Sequence, residues 1–202
     1  MIKAYYSSTG NSMRVIIALE ESGLKFEKHK IDIRQKENRT EEFLKLNPLG
    51  FIPVIIDEGA GGEKLVLNQS GAILLFIAEK SGKFLPIQPA KRYKALQWLF
   101  SIVSDINPMN RVLYYIGENN EPFAAEMRDH FIEFQKSIFI GLQNELGSKE
   151  FILDEFSLVD IALYSITRLK LPVLENDPAF ATLMSWYKNM SSRATIKRAY
   201  DE

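Results

Sequence analysis

The chain has 202 residues, 46% hydrophobic and 25% charged, enough apolar material for one or two packed cores and too much for a disordered polypeptide. Its 25 Lys and Arg against 26 Asp and Glu leave a net charge of -1, so no bulk charge drives it onto nucleic acid or an anionic membrane surface. With no cysteine and only His29 and His130, disulfides, thiolate metal sites, a cysteine nucleophile and a three-histidine zinc site are all excluded.

In chain order, Ile2 to Tyr6 is a short β-rich run without the basic, apolar and small-residue succession of a secretory leader. No apolar stretch approaches the roughly 20 residues that span a bilayer, so the expectation is a cytoplasmic protein. The polar loop Ser7-Ser8-Thr9-Gly10 leads into an apolar helix over residues 11–22, and Gly23 ends it. Residues 26–33 read as a second strand and 34–39 as a charged loop. Thr40 caps a short helix that Asn47-Pro48 stops. Residues 54–56 and 65–67 are strands joined by a glycine-containing hairpin loop at Gly59, Gly61 and Gly62, which lacks the Gly-Lys-Ser/Thr ending of a phosphate loop. A third helix covers 72–80.

The order β-α-β-α-β-β-α over residues 1–80 predicts a mixed sheet covered by helices. Residues 81–89, with Gly82, Pro86 and Pro89, form a connector. From 90 to 202 the pattern is helical, with segments over 90–104, 110–116, 122–146, 158–170 and 180–189. Ser157-Leu158-Val159-Asp160 is a capping-box pattern whose role is folding, and Asn107-Pro108 reads as a helix break.

Four motifs in order carry a resemblance. Tyr-Tyr-Ser-Ser-Thr-Gly-Asn-Ser-Met-Arg-Val at 5–15, Asn-Pro-Leu-Gly-Phe-Ile-Pro-Val at 47–54, Gln-Ser-Gly-Ala-Ile at 69–73 and Phe-Ser-Leu-Val-Asp-Ile-Ala at 156–162 are similar to the signature of the glutathione S-transferases. The resemblance implies an α/β thioredoxin-like N-terminal domain and an all-α C-terminal domain in a homodimer active in detoxification. It also implies glutathione as co-substrate, no metal, and a hydrophobic electrophile or a disulfide as second substrate. Two departures affect local turns: the usual glycine before the late acid is Leu153, and Ala194 replaces a proline after Arg193.

The same residues have a physical reading. Pro53 suits the first position of a strand, where no ladder donor is needed, and the resemblance implies that Ile52-Pro53 is cis, with the Ile52 backbone free to pair with a peptide alongside. Ser70 at a helix start reads as a cap or as a carboxylate site. By resemblance, Ser70 and its predecessor hold the γ-glutamyl group, but the expected acid is Gln69 here, a weaker partner for an ammonium. Asp105 is a candidate to compensate from a second subunit, or a local residue just before Asn107-Pro108.

The loop at 7–12 offers four hydroxyls and one amide at a helix start. Thr9-x-Asn11 resembles the bacterial Nu-type transferases, in which threonine and asparagine face the sulfur, so the expected thiol-activating residues are Thr9 and Asn11, then Ser8 and Ser12. Without the resemblance the loop reads equally as a turn and a cap. Lys36 and Arg39 lie where the family binds the glycyl carboxylate. Met109, Arg111, Tyr114 and Tyr115 align with the electrophile pocket. Phe51 is a candidate to dock into a partner subunit, or to pack internally. The resulting expectation is a glutathione transferase that binds neither nucleic acid nor membrane. A non-catalytic adaptor of the same fold, binding a transcription or translation partner, is the alternative, and an apolar-ligand carrier the third reading.

Overall fold

The computed structural model describes residues 1–59, 63–117 and 121–201. The glycine hairpin loop falls largely outside them, since Gly61 and Gly62 are not among the described residues. Strand β1 (Ile2–Tyr6) alternates buried and half-buried residues, as a strand packed on one face should. It is followed by helix α1 (Gly10–Ser22), β2 (Phe26–Lys30), α2 (Glu41–Leu46), β3 (Val54–Glu58), β4 (Lys64–Asn68) and α3 (Ser70–Ser81). The strands lie in the order β2-β1-β3-β4. β1 runs parallel to β2 and antiparallel to β3, which pairs antiparallel with β4. This is a thioredoxin-like sheet, in the order of elements the sequence predicts. β2 lies at an edge and carries exposed lysines, which discourage pairing with another chain.

The remainder is helical: α4 (Pro89–Phe100), α5 (Asn107–Ile116), α6 (Pro122–Leu146), α7 (Leu158–Leu174), α8 (Ala181–Ser192) and α9 (Ala194–Tyr200). Asn107-Pro108 does not break the helical path. Residues 101–106 form a π-helical segment, and the Asn107 N–H bonds back to the Ile102 carbonyl, five residues earlier. Pro108 follows as the second residue of α5, and the wider π turn before it accommodates a ring that cannot donate. α7 begins with the expected capping box between Ser157 and Asp160. It also runs four residues beyond the predicted end, through Pro172, and α9 lies past the last helical segment that the pattern predicts.

The core explains why α1 is apolar on nearly every side. Val15 to Leu19 are wholly inaccessible. They pack against the sheet and α3 on one side and against α7 and α9 on the other. The Glu21 carboxylate fastens that junction by accepting from Arg193 Nε at 2.8 Å and Nη2 at 3.0 Å, and from the Thr195 hydroxyl. Glu21 lies near the C-terminal end of α1, so these bonds anchor that end, while the cleft opens at the opposite, N-terminal end.

Candidate functional site

A cleft of about 1330 Å³ separates the sheet half from the helical half. One wall carries the loop from Ser8 into α1, Ile52, Pro53 and the start of α3 with Gln69 and Ser70. The other is built from the end of α4, the π segment, α5 and α7. A second cavity of about 530 Å³ lies on the far side of Ser8 and Thr9, lined by residues 30–34 and Glu37.

Thr9 is the N-cap of α1. Its Oγ1 accepts from the Ser12 N–H at 3.4 Å and donates to Ser12 Oγ at 3.1 Å. A hydroxyl has one proton, so Thr9 can donate into the cleft only if this second bond reverses and Ser12 becomes the donor. Ser12 is wholly buried and does not line the cleft. Its expected place beside the sulfur is thus corrected: it lies beneath Thr9, because α1 turns it towards the core. Asn11 lines the cleft, and its Oδ1 accepts from Asn107 Nδ2 at 2.9 Å. Its own Nδ2 is therefore the donor left over.

Ile52-Pro53 is cis, and both residues line the cleft. Gln69 has φ 71° and ψ 109°, a conformation that costs a non-glycine residue about 1–3 kcal/mol and often marks a functional position. Ser70, almost wholly buried, is the first residue of α3 and lines the cleft. Here the free N–H groups and positive end of a 12-residue helix face the cleft.

The charges are one-sided. Arg39 and Arg111 line the cleft, and no Asp or Glu does so among the described residues. Their guanidinium carbons lie 5.9 Å and 4.6 Å from the Phe51 ring centroid. Phe51 thus spans the two walls within one chain. Arg39 Nη1 also donates to the Leu49 carbonyl at 3.0 Å. Neither arginine pairs with a carboxylate among the described residues, so both remain available to an anion.

Tyr114 and Tyr115 line the cleft and are largely exposed. Two expectations need correction. Lys36 lines neither cavity, because a left-handed turn at φ 59° leads it into a short 3-10 helix at Glu37–Arg39. Met109, on α5, does not line the cleft, and Asp105 lies in the π segment, outside the lining that this chain itself supplies. Asn107 and Arg14, linked to Asn11 through hydrogen bonds, were not singled out from sequence.

The N-terminal residues 3–79 match the family model described as "Glutathione S-transferase, N-terminal domain". The disulfide-bond oxidoreductase YfcG of Escherichia coli K12 is 31% identical, over 98% of this chain and 94% of its own length. The chain belongs to the glutathione S-transferase family. Among solved family structures, a glutathione transferase from Pseudomonas putida superposes with a TM-score of 0.88 at 30% identity, covering 98% of this chain and 90% of that one, and holds one glutathione disulfide per subunit. A family member from Pseudomonas fluorescens, also at 0.88 and at 29% identity over 98% and 91% of the two chains, has two glutathione molecules bound. Among the described residues of this family member, no helix is long and apolar enough to cross a membrane.

Proposed function

We propose that this protein is a glutathione-dependent enzyme that holds the glutathione thiol as a thiolate at the head of α1, between Thr9 and Asn11, with Ser8 beside them. The peptide lies along the Ile52-Pro53 backbone, and its γ-glutamyl carboxylate sits at Ser70 and the α3 N-terminus. Gln69 receives the ammonium, and Arg39 attracts the second carboxylate. The observation that carries this reading is the pairing of helix-end donors and two arginines free of acidic partners in a cleft with no carboxylate among its described lining. Such a lining suits a peptide with two carboxylates.

The energies are sufficient. A free thiol titrates near pH ~8.5, and lowering that by about two units takes about 2.7 kcal/mol. One hydrogen bond to the charged sulfur contributes about 1.5–3 kcal/mol and a helix N-terminus about 0.3–1 kcal/mol.

The favoured reaction is disulfide reduction. The cleft exceeds the roughly 300–1,000 Å³ of a single-ligand pocket, and Arg111, Tyr114 and Tyr115 offer a second cationic, aromatic subsite. The bound thiolate attacks one sulfur of a disulfide, forming a new S–S bond, and the other sulfur leaves as a thiolate that takes a proton. A second glutathione then attacks the mixed disulfide, releasing oxidised glutathione and a second thiol. No protein cysteine is required. Conjugation to an electrophilic carbon at the same site is the second reading, for which the exposed aromatic residues on α5 provide an apolar wall. We further propose a cytoplasmic homodimer, with residues 1–80 holding glutathione and 90–202 completing the pocket.

Steady-state rates with glutathione and a small hydroxyalkyl disulfide, set against a haloaromatic, test the reading. Faster disulfide turnover supports it, and preference for the haloaromatic favours conjugation. If neither turns over and millimolar glutathione gives no calorimetric heat, the protein is an adaptor instead.

A further inference from the structure

Arg14 lies on α1 one turn beyond Asn11 and is wholly buried. A guanidinium in such surroundings ordinarily has a carboxylate partner. Here Nε donates to Ser165 Oγ at 3.2 Å, Nη2 donates to Asn107 Oδ1 at 3.2 Å, and Nη1 has no partner among the described residues. Burial lowers its pKa to about 10, which leaves it protonated at neutral pH. The titratable group acting on it is Tyr200, itself pushed up by burial and surrounded by Tyr164, Tyr187 and Arg168. None of these is a carboxylate. A well-packed apolar side chain would stabilise this position better than an uncompensated cation, so stability does not account for Arg14.

Hydrogen-bond direction gives it a role. A guanidinium only donates, so Asn107 must turn its Oδ1 to Arg14, and its Nδ2 is then fixed towards Asn11. Asn11 must answer with Oδ1, at 2.9 Å. Its Nδ2, which donates to no described residue, is left for the cleft. Reversing either amide would set donor against donor or acceptor against acceptor. The π segment contributes to this placement. Its extra residue turns the following helix by about 100°, and Asn107 is the first residue past it.

We propose that Arg14 is a positioning residue for the reaction, acting through Asn107 to lock the Asn11 amide with its N–H edge towards the glutathione sulfur. Its charge, carried along two polarised amides, strengthens that edge as a donor. The inference rests on the proposed function, since it concerns the same sulfur.

Ultraviolet titration of the thiolate in the glutathione complex tests it. Asn107→Asp gives Arg14 an ion-pair partner and keeps the variant folded, yet its carboxylate has no N–H for Asn11, which must then reverse and turn Oδ1 to the sulfur. The bound thiol should titrate about 1–2 pH units higher, with turnover recovering above that raised value. Arg14→Lys, which keeps the charge but loses the fork, should produce a smaller rise. In an Asn11→Ala background, Asn107→Asp should add nothing, because the group it orients is gone. An unchanged thiol titration in folded Asn107→Asp, or effects that add independently of Asn11, overturns the relay while leaving the proposed function intact. A wild-type complex without a thiolate signal overturns both.

Discussion

Replacing Thr9 removes two interactions of different kinds, and three substitutions separate them. As a cap, Thr9 Oγ1 accepts from the Ser12 N–H at 3.4 Å, a long bond, which puts its worth at the low end of the usual range, about 0.5–1 kcal/mol. In a chain of this size that lowers Tm by about 1–4 °C. As a donor to the thiolate the same hydroxyl is worth about 1.5–3 kcal/mol, or about 1–2 units of thiol pKa. Thr9→Ser retains both roles. Thr9→Asp retains the cap but sets a negative oxygen against the sulfur, and Thr9→Ala loses both. Urea unfolding should therefore group Ser with Asp, whereas the pH dependence of kcat should group Asp with Ala, its rising limb displaced upward by about 1–2 units in both. If Thr9→Asp keeps the wild-type pH profile, Thr9 is a cap and nothing more, and the assignment of the sulfur to this loop is wrong.

Arg39→Ala and Arg111→Ala should each raise KM for glutathione or its disulfide about tenfold or more with little change in kcat, because each removes a charged contact made equally in ground and transition states. High salt should erase much of the difference. Burial pushes the Glu21 carboxyl up, but Arg193 and Thr195 together hold it below its ordinary 4.5. Its contribution to stability is therefore present above that pH and lost as pH falls through the lower folded value. Glu21→Gln should flatten the acid limb of a Tm-against-pH curve. At Gly50, with φ +62°, an added Cβ would lie 2.6 Å from Arg39 Nη1 and 2.8 Å from the Asn38 carbonyl oxygen. Gly50→Ala should thus destabilise by about 1–3 kcal/mol in chemical denaturation and weaken glutathione binding by displacing Arg39.

The order of the sheet half is legible over residues 1–80 because its short β-rich and apolar helical runs are separated by clear breaks, such as Gly23 and Asn47-Pro48. The π segment left no such trace. Sequence periodicity near Asn107-Pro108 registers only that proline cannot donate, whereas accommodation by a bond to Ile102 depends on the tertiary position of α5. Helix α9 is seven residues long, too short to impose a period, and is held by packing against α1. At the site, the resemblance to the family is what singles out Thr9, Asn11 and Ser70, since loop chemistry alone reads equally as a turn and helix caps. Ser12, Lys36 and Met109 share the right composition and neighbourhood, but side-chain direction separates them from the cleft, and direction is a property of the folded backbone. Arg14 resembles a misplaced polar residue in an apolar helix until Asn107, 93 residues away along the chain, is brought against it.

The most direct measurement of the central claim is the ionisation of glutathione bound to the wild-type protein, followed by thiolate absorbance from pH ~5 to ~9 at saturating ligand. The account predicts that the bound thiol loses its proton about two units below the roughly 8.5 of the free thiol. A bound thiol that titrates as it does in water would contradict it.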